Sequence, residues 1–255
     1  MTPAKSVQVL RARTDPRSSK HLPVFVTARS LLGLASGVPS VDSLIGGLKP
    51  GTVALLTGSE IRLQAAEGYC VRAQLPESRG GLDGGAYFID GGNSFDVYLL
   101  TALARRHHIG YDDALERQLI ARAFTVYELC SLVRDSPVVF ARYKPKLLVI
   151  SEVFSTFNQD VKKTEACRLM RDIVDALSQL NANEGVPVLI TAATRPEALT
   201  RILEERCTIS ADVDQRDHRE RVRLFKHPWK APMEAVRQEA PRTYNQDTLT
   251  RWSAG

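Results

Sequence analysis

The stretch from Gly47 to Ala65 constrains the fold of this chain more than any other. The turn Lys49-Pro50-Gly51 leads into the apolar run Val53-Ala54-Leu55-Leu56, which predicts a buried β-strand. Thr57-Gly58 follows, and a few polar residues later an alanine-containing run predicts a helix. A strand, a glycine-led loop and a helix in this order form the layout of a phosphate-binding P-loop.

The side chains that carry P-loop chemistry are absent from this loop. With Gly58 as the first glycine of G-x-x-x-x-G-K-[ST], the pattern requires Gly, Lys and Ser or Thr at positions 63 to 65. The chain has Leu63, Gln64 and Ala65 there. A glutamine cannot supply the cation that spans the β- and γ-phosphates, and an alanine cannot ligate Mg²⁺. The sequence therefore predicts a nucleotide-binding scaffold for which ATP and Mg²⁺ are disfavoured and no cofactor is expected.

Weak anion binding by the loop stays open at this point. Backbone N–H groups after Gly58 and the charge of Arg62 favour an anion, whereas Glu60 opposes it. Glu60 and Arg62 are expected to pair with each other or to be solvated. The candidate residues of this degenerate loop are Gly58, Ser59, Glu60, Arg62, Gln64 and Ala65.

Composition narrows the class of protein. The 255 residues are 44% apolar and 25% charged, as in an ordinary globular protein with a sizeable core. A net charge of +5 permits contact with a polyanion but does not require it. The four cysteines are widely spaced and predict reduced, mostly buried thiols and no metal site. The chain has no run of eighteen apolar residues, so we expect no membrane partner and a cytoplasmic location.

Predicted strands and helices alternate through most of the chain. The predicted strands are 53–56, 86–90, 120–123, 146–150, 186–191, 207–213, 219–225 and 236–238, and the main predicted helices are 63–75, 97–108, 111–119, 126–134 and 164–180. Alternation of this kind favours an α/β fold with a mostly parallel central sheet, helices on both faces and an antiparallel C-terminal edge. Residues 1–30 are expected to form a mobile basic arm and linker, and residues 31–255 the core domain.

Several stretches, taken in order, resemble the ATPase core of the RecA/RadA-like recombinase superfamily. Gly37 to Gly47, before the first strand, resembles the segment that leads into the family's P-loop. Tyr87 to Phe95 resembles its second strand and the following turn, and Ala121 to Phe124 its Arg-Ala-aromatic segment. Leu147 to Ser151 matches the Walker B strand, and Val188 to Ala193 the strand before the second DNA loop. The resemblance covers roughly residues 35 to 230 and implies a RecA-like P-loop core.

The chain departs from this family at further catalytic positions beyond the P-loop. The position of the water-activating Glu is Gly92, and the Walker B Asp position is Ser151, followed by Glu152. The position of the γ-phosphate-sensing Gln is Ala193. A misalignment by one or two residues could rescue Glu152 but places no Lys in the loop. The resemblance therefore predicts that hydrolysis by the family mechanism is absent.

Two other properties of the family could survive the loss of ATP chemistry. In the family an F-x-x-A motif ahead of the core inserts into a neighbouring subunit and adds a strand to its edge. Phe25-Val26-Thr27-Ala28 lies at the matching place, so Phe25 and Ala28 are the candidate partner-binding residues. The segments that match the family's two DNA loops carry the candidate DNA-binding cations Lys162, Lys163, Arg168, Arg171, Arg195, Arg201 and Arg206.

The leading hypothesis is a catalytically degenerate RecA-like paralogue. It would be an accessory subunit in DNA recombination or repair that binds a RecA-like partner, in a homo- or hetero-oligomer, with single-stranded DNA as a second ligand. One alternative is a divergent DNA-dependent ATPase with a displaced Lys, either Lys49 or Lys226 of a neighbour, and Glu152 as its acid. The other is a purely structural partner-binding protein.

Overall fold

A computed structural model describes residues 33–157, 161–216 and 219–238. The predicted arm and the F-x-x-A motif lie outside these residues. The strands are β1 Val53–Gly58, β2 Ala86–Asp90, β3 Gln118–Arg122, β4 Leu147–Ser151, β5 Val188–Ala192, β6 Ile209–Arg216, β7 Arg219–Lys226 and β8 Met233–Gln238. The helices are α1 Pro39–Ile45, α2 Ile61–Ala73, α3 Val97–Arg106, α4 Tyr111–Glu116, α5 Val126–Arg134, α6 Ser136–Tyr143, α7 Lys163–Glu184 and α8 Glu197–Glu204.

All eight strands form one sheet in the order β3-β2-β4-β5-β1-β6-β7-β8. The six strands from β3 to β6 are parallel, and β7 and β8 are antiparallel to their neighbours. This confirms the predicted fold class. Because β1 lies beyond β4 and β5 from β2, the chain crosses over the sheet after β1. The loops that follow the parallel strands therefore meet at one edge of the sheet, called here the carboxyl edge.

Apolar cores lie on both faces of the sheet. Leu55 and Ile150 point to the face covered by α5, α6, α7 and α8. Leu56 and Val149 point to the opposite face, which is covered by α1 to α4. Alternation along strands whose residues are apolar on both sides is the pattern of a parallel sheet covered by two helical layers.

Local details differ from the sequence prediction. Ser40 is expected from its residue type to cap the helix that carries Val41, Leu44 and Ile45. The N-cap of α1 is Val38 instead, because Pro39 fixes the start of the helix and Asp42 accepts hydrogen bonds from the Ser36 and Gly37 backbone N–H groups. The helix predicted at 111–119 ends at Glu116, because β3 begins at Gln118. Helix α6 was not predicted.

A buried acid connects α2 to the start of α3. The side chain of Glu67 is buried, and one carboxyl oxygen accepts the backbone N–H of Asp96 at 2.9 Å. Burial raises the pKa of Glu67 to about 8, and the nearby charges of Asp96 and Asp90 act in the same direction. The fold therefore favours the neutral carboxyl.

Replacement of Glu67 by Gln should remove a pH-dependent loss of stability. Because the folded pKa is raised, the stability contribution is complete below about pH 4.5 and is lost as pH rises to about 8, at about 1.4 kcal/mol for each pH unit. Urea denaturation across this range should show that slope in the parent and a smaller one in Glu67→Gln. The exposed Glu77→Gln serves as the control, and equal slopes in all three proteins would contradict the prediction.

Candidate functional site

The connection between β1 and α2 is too short to wrap a phosphate. The strand ends at Gly58 and the helix begins at Ile61, so two residues join them. Gly58 has φ 110°, and a Cβ there would overlap the carbonyl oxygen of Val213 in β6. The N–H of Ser59 donates to that oxygen at 2.7 Å, and the N–H groups of residues 62 to 64 donate to carbonyls within the same turn. These backbone groups are therefore occupied by the protein itself.

Two P-loop positions point away from any phosphate. Gln64, at the position of the P-loop Lys, is exposed on α2. Ala65, at the position of the Mg²⁺ ligand, is fully buried in the apolar core between α2 and the sheet. The structure thus does not bring these two positions together around a cavity.

A buried ion pair joins the β1–α2 junction to the end of β4. Arg62 Nε lies 2.7 Å from Glu152 Oε1, and each side chain is only 8% exposed. Arg62 Nη1 donates to the Gly58 carbonyl at 2.7 Å, and Glu152 Oε2 accepts the Ala193 N–H at 3.1 Å. The expected pairing of Arg62 with Glu60 is wrong, because the sheet brings Glu152 next to Arg62 while Glu60 is exposed.

Gly92 and Glu152 fit together sterically. Glu152 has φ 55°, a left-handed conformation that is uncommon for a residue with a side chain. A Cβ at position 92 would lie 2.5 Å from the Glu152 Cβ. A side chain at position 92 is therefore incompatible with Glu152 as it stands.

A directed chain of hydroxyl groups holds the carboxyl ends of β2, β4 and β5 together. The Ser94 hydroxyl donates to the Asp90 carboxylate at 3.0 Å, since a carboxylate only accepts. Ser94 therefore accepts from Ser151 at 2.7 Å, and Ser151 from Thr191 at 3.1 Å. The Glu152 N–H completes the chain by donating to Thr191 at 3.3 Å. Ser151 is thus a hydrogen-bonded link between strands in the place of a metal-ligating Asp.

Arg195 belongs to an internal polar cluster instead of an open DNA surface. Its guanidinium pairs with Glu204, donates to Thr57 Oγ1 at 3.1 Å and lies 4.4 Å from the Phe225 ring centre. Thr57 in turn donates to Asp212 at 2.8 Å. Arg195 is therefore held by neighbouring side chains, and its contact with DNA stays a prediction.

The remaining DNA candidates are spread over separate surfaces. Lys163 and Arg201 line one cleft of about 440 Å³ between the starts of α7 and α8. Arg168 pairs with Asp172 at 2.9 Å on the exposed side of α7. Arg206 lines a different cleft beside Gly51, at the amino ends of the parallel strands. Lys162 and Arg171 are exposed near the first cleft and along α7, respectively.

All four cysteines are free. Burial raises the pKa of Cys130 to about 11 and that of Cys207 to about 12, which keeps both as unreactive thiols. Within residues 33–157, 161–216 and 219–238, no three His, Cys, Asp or Glu side chains are grouped as metal ligands. No helix in these ranges is long and apolar enough to cross a membrane.

The residues that form the sheet and its carboxyl edge also match a known protein family. The family model described as Rad51 matches residues 27–207, which is most of the chain. The chain belongs to the Rad51 family. This confirms the predicted RecA-like membership, and the matched residues include β1 to β5 with the Arg62–Glu152 pair.

Three relatives show how far the similarity extends. DNA repair protein RAD51 of Mycosarcoma maydis is 25% identical over 217 residues, 74% of this chain and 62% of that protein. DNA repair protein RAD51 homolog 1 of Arabidopsis thaliana is 24% identical over 216 residues, with the same two coverages. DNA repair protein RAD51 of Saccharomyces cerevisiae is 27% identical over 186 residues, 66% of this chain and 45% of that protein. The chain thus spans less than two thirds of the length of these relatives.

Sequence reasoning missed the polar residues that support the site. Asp90, Thr191 and Asp212 were not singled out as site residues. Asp90 and Thr191 stand at or near the carboxyl ends of apolar strands, and Asp212 lies within β6, level with Thr57 near the end of β1. The carboxyl ends of parallel strands meet at one edge. That position was the signal that could have found them.

The Arg62–Glu152 pair should be an anchor of the fold. Arg62→Met leaves Glu152 charged and buried without its partner. We therefore expect the free energy of unfolding, measured by urea denaturation, to fall by about 3–5 kcal/mol. Arg168→Met, which breaks the exposed pair with Asp172 on α7, should cost about 0.5 kcal/mol or less. Arg62→Met combined with Glu152→Gln should cost less than the sum of the two single variants. Equal losses from Arg62→Met and Arg168→Met would contradict this role.

Proposed function

We propose that the chain is a catalytically degenerate RecA-like paralogue that acts as an accessory subunit in DNA recombination or repair. Membership in the Rad51 family supports this, as do relatives whose names describe DNA repair proteins. Because the chain spans only part of their length, its activity and partners are inferred from its own residues. Its proposed location stays the cytoplasm.

The observation that carries the proposal is the ion pair where ATP chemistry would be expected. Arg62 is neutralised by Glu152, so it presents no free positive charge to a phosphate. Glu152 is hydrogen-bonded to Ala193 and packed on Gly92, so it is not placed to activate water. With Gln64 exposed, the residues around the junction support a role without hydrolysis.

The displaced-Lys alternative finds little support within one chain. Lys49 precedes β1, whereas Gly58 is its last residue. Because this six-residue strand spans roughly 20 Å, the two residues lie at opposite ends of the sheet. The Lys49 ammonium instead lies 4.2 Å from the Trp229 ring centre. Lys226 donates to the Glu204 carbonyl at 2.8 Å, so a neighbour's Lys226 would first have to leave that contact.

Calorimetric titration with ATP and Mg²⁺ tests the absence of nucleotide chemistry. We expect no micromolar binding by the parent, since the N–H groups of Ser59 and of residues 62 to 64 are paired and the charge of Arg62 is neutralised. Gln64→Lys should restore neither binding nor hydrolysis, because a cation at this exposed position does not reopen the two-residue connection. Micromolar binding by the parent would contradict the proposal and favour the divergent ATPase.

Docking to a RecA-like subunit is proposed at the free edge of β3. This strand ends the sheet, and it pairs with β2 alone among the described strands. Leu119 and Ala121 of β3, like Leu132 of α5 and Val139 of α6, are partly buried and pack against the same apolar core. An unpaired strand next to an apolar margin suits an added strand that inserts small and aromatic side chains. The Phe25-Ala28 motif of a neighbouring subunit has that chemistry.

Two variants on opposite sides of this interface should abolish association. Phe25→Ala removes the inserted ring, and Ala121→Asp places a charge on the receiving strand. Sedimentation should then show loss of self-association, and a pull-down should show loss of a RecA-like partner. Val236→Asp on β8, the other edge strand, is the matched control and should leave association intact. Unchanged association in both Phe25→Ala and Ala121→Asp would leave the motif as a coincidence.

Single-stranded DNA is the second proposed ligand. The cleft between α7 and α8 joins Lys163 and Arg201, one cation from each segment that matches a DNA loop of the family. Two cations support weak, sequence-independent and salt-sensitive binding. Glu197 lines the same cleft and reduces its charge. A chain that fails to bind oligonucleotide at low salt, alone and with a partner, would remove this part of the proposal.

A further inference from the structure

An exposed tryptophan stands among lysines at the amino edge of the sheet, opposite the carboxyl edge. Trp229 is 69% exposed, in the turn between β7 and β8. Lys49, in the turn before β1, lies with its ammonium 4.2 Å from the ring centre, and His227 meets the ring edge-on at 5.6 Å. With one face under Lys49 and one edge at His227, the high exposure leaves the opposite face of the ring open. We define Lys49, His227, Trp229 and Lys230 as the tryptophan patch.

The turn that carries Trp229 is held in one shape. His227 Nδ1 accepts the backbone N–H groups of Trp229 and Lys230, each at 3.1 Å. Its Nε2 must therefore carry the proton, and it donates to the Ile45 carbonyl at 3.0 Å. Burial lowers the pKa of His227, and the charges of Lys230 and Lys49 lower it further. The ring of Trp229 is thus presented by a pre-organised turn, which reduces the entropy lost when a ligand binds.

Neither lysine of the patch, Lys49 or Lys230, forms an ion pair within the described ranges. Lys230 donates to the Ser43 and Leu44 carbonyls at the end of α1. These contacts cap the helix end and leave the ammonium with one further N–H donor. The patch is therefore locally cationic.

We propose that the tryptophan patch binds single-stranded nucleic acid, with a base stacked on the open face of Trp229 and phosphates at Lys49 and Lys230. An aromatic platform flanked by cations is the arrangement by which proteins bind single strands without sequence preference. A tryptophan kept for packing would be mostly buried, and this ring is not. The patch lies at the opposite end of the sheet from the Lys163–Arg201 cleft, and the turn that carries Trp229 follows the residues that the family model matches.

Fluorescence of Trp229 tests the proposal directly. The chain has two tryptophans, so Trp252→Phe makes Trp229 the only reporter. Titration with labelled oligothymidylate at two salt concentrations gives fluorescence quenching together with total binding by anisotropy. We expect quenching that Lys49→Gln and Lys230→Gln each weaken, with the salt slope reduced by about 0.7 per lost cation. In the protein that keeps Trp252, Trp229→Ala should weaken total binding roughly tenfold.

Control variants separate this surface from the proposed function. Arg106→Gln removes an exposed cation on α3, and Tyr98→Ala removes an exposed aromatic at the carboxyl edge; neither should change the quenching. Quenching that survives Lys163→Gln with Arg201→Gln supports the patch and removes the cleft. If the oligonucleotide binds without quenching Trp229, and the double variant abolishes that binding, the patch is overturned and the proposed function stands. Equal quenching by thymidine monophosphate at the same nucleotide concentration would show a free-nucleotide site and overturn binding of a strand. Absence of both signals at low salt overturns both nucleic-acid surfaces but not partner docking.

Discussion

The buried pair of Arg62 and Glu152 is the interaction on which the carboxyl edge of this sheet depends. Two charges taken out of water stabilise a fold only if their remaining hydrogen-bonding groups are also satisfied. Here the Gly58 carbonyl and the Ala193 N–H provide those partners, at 2.7 and 3.1 Å. The pair therefore joins the ends of β1, β4 and β5 in one contact. In a nucleotide-hydrolysing site of this fold the same space would have to admit phosphates and a metal ion.

The residues around this pair fit one another closely. Glu152 adopts a left-handed conformation and occupies the space above Gly92, where any side chain would collide with it. Ser151 then hydrogen-bonds to Ser94 and Thr191, as a hydroxyl can and a second buried carboxylate could not without added cost. The edge is thus a consistent packing arrangement in its own right. A side chain introduced at position 92 would require Glu152 to move.

The sheet could be predicted from sequence, but its central contact could not. Runs such as Leu147 to Ile150 are apolar at every position, and only a strand covered on both faces requires that. Arg62 and Glu152 are 90 residues apart, and nothing local in the sequence indicates the left-handed turn that aims Glu152 at Arg62. The nearer Glu60 was the expected partner for that reason. The cap at Ser40 was predicted wrongly because Pro39 had already fixed where α1 begins.

The carboxyl and amino edges of the sheet differ in how their charges are compensated. Six Lys and Arg but one acidic residue fall in residues 1–30, so the rest of the chain carries equal numbers of both signs. The basic pI of about 9.1 therefore says nothing about the core, and binding of a polyanion must rest on local clusters.

At the carboxyl edge, Arg62, Arg195 and Arg223 are each paired with a carboxylate. At the amino edge, Lys226 and Lys230 contact backbone carbonyls, which leave their charge uncompensated. Because β7 runs antiparallel, it returns the chain to this second edge, and so the topology itself places the cationic turn opposite the neutralised site.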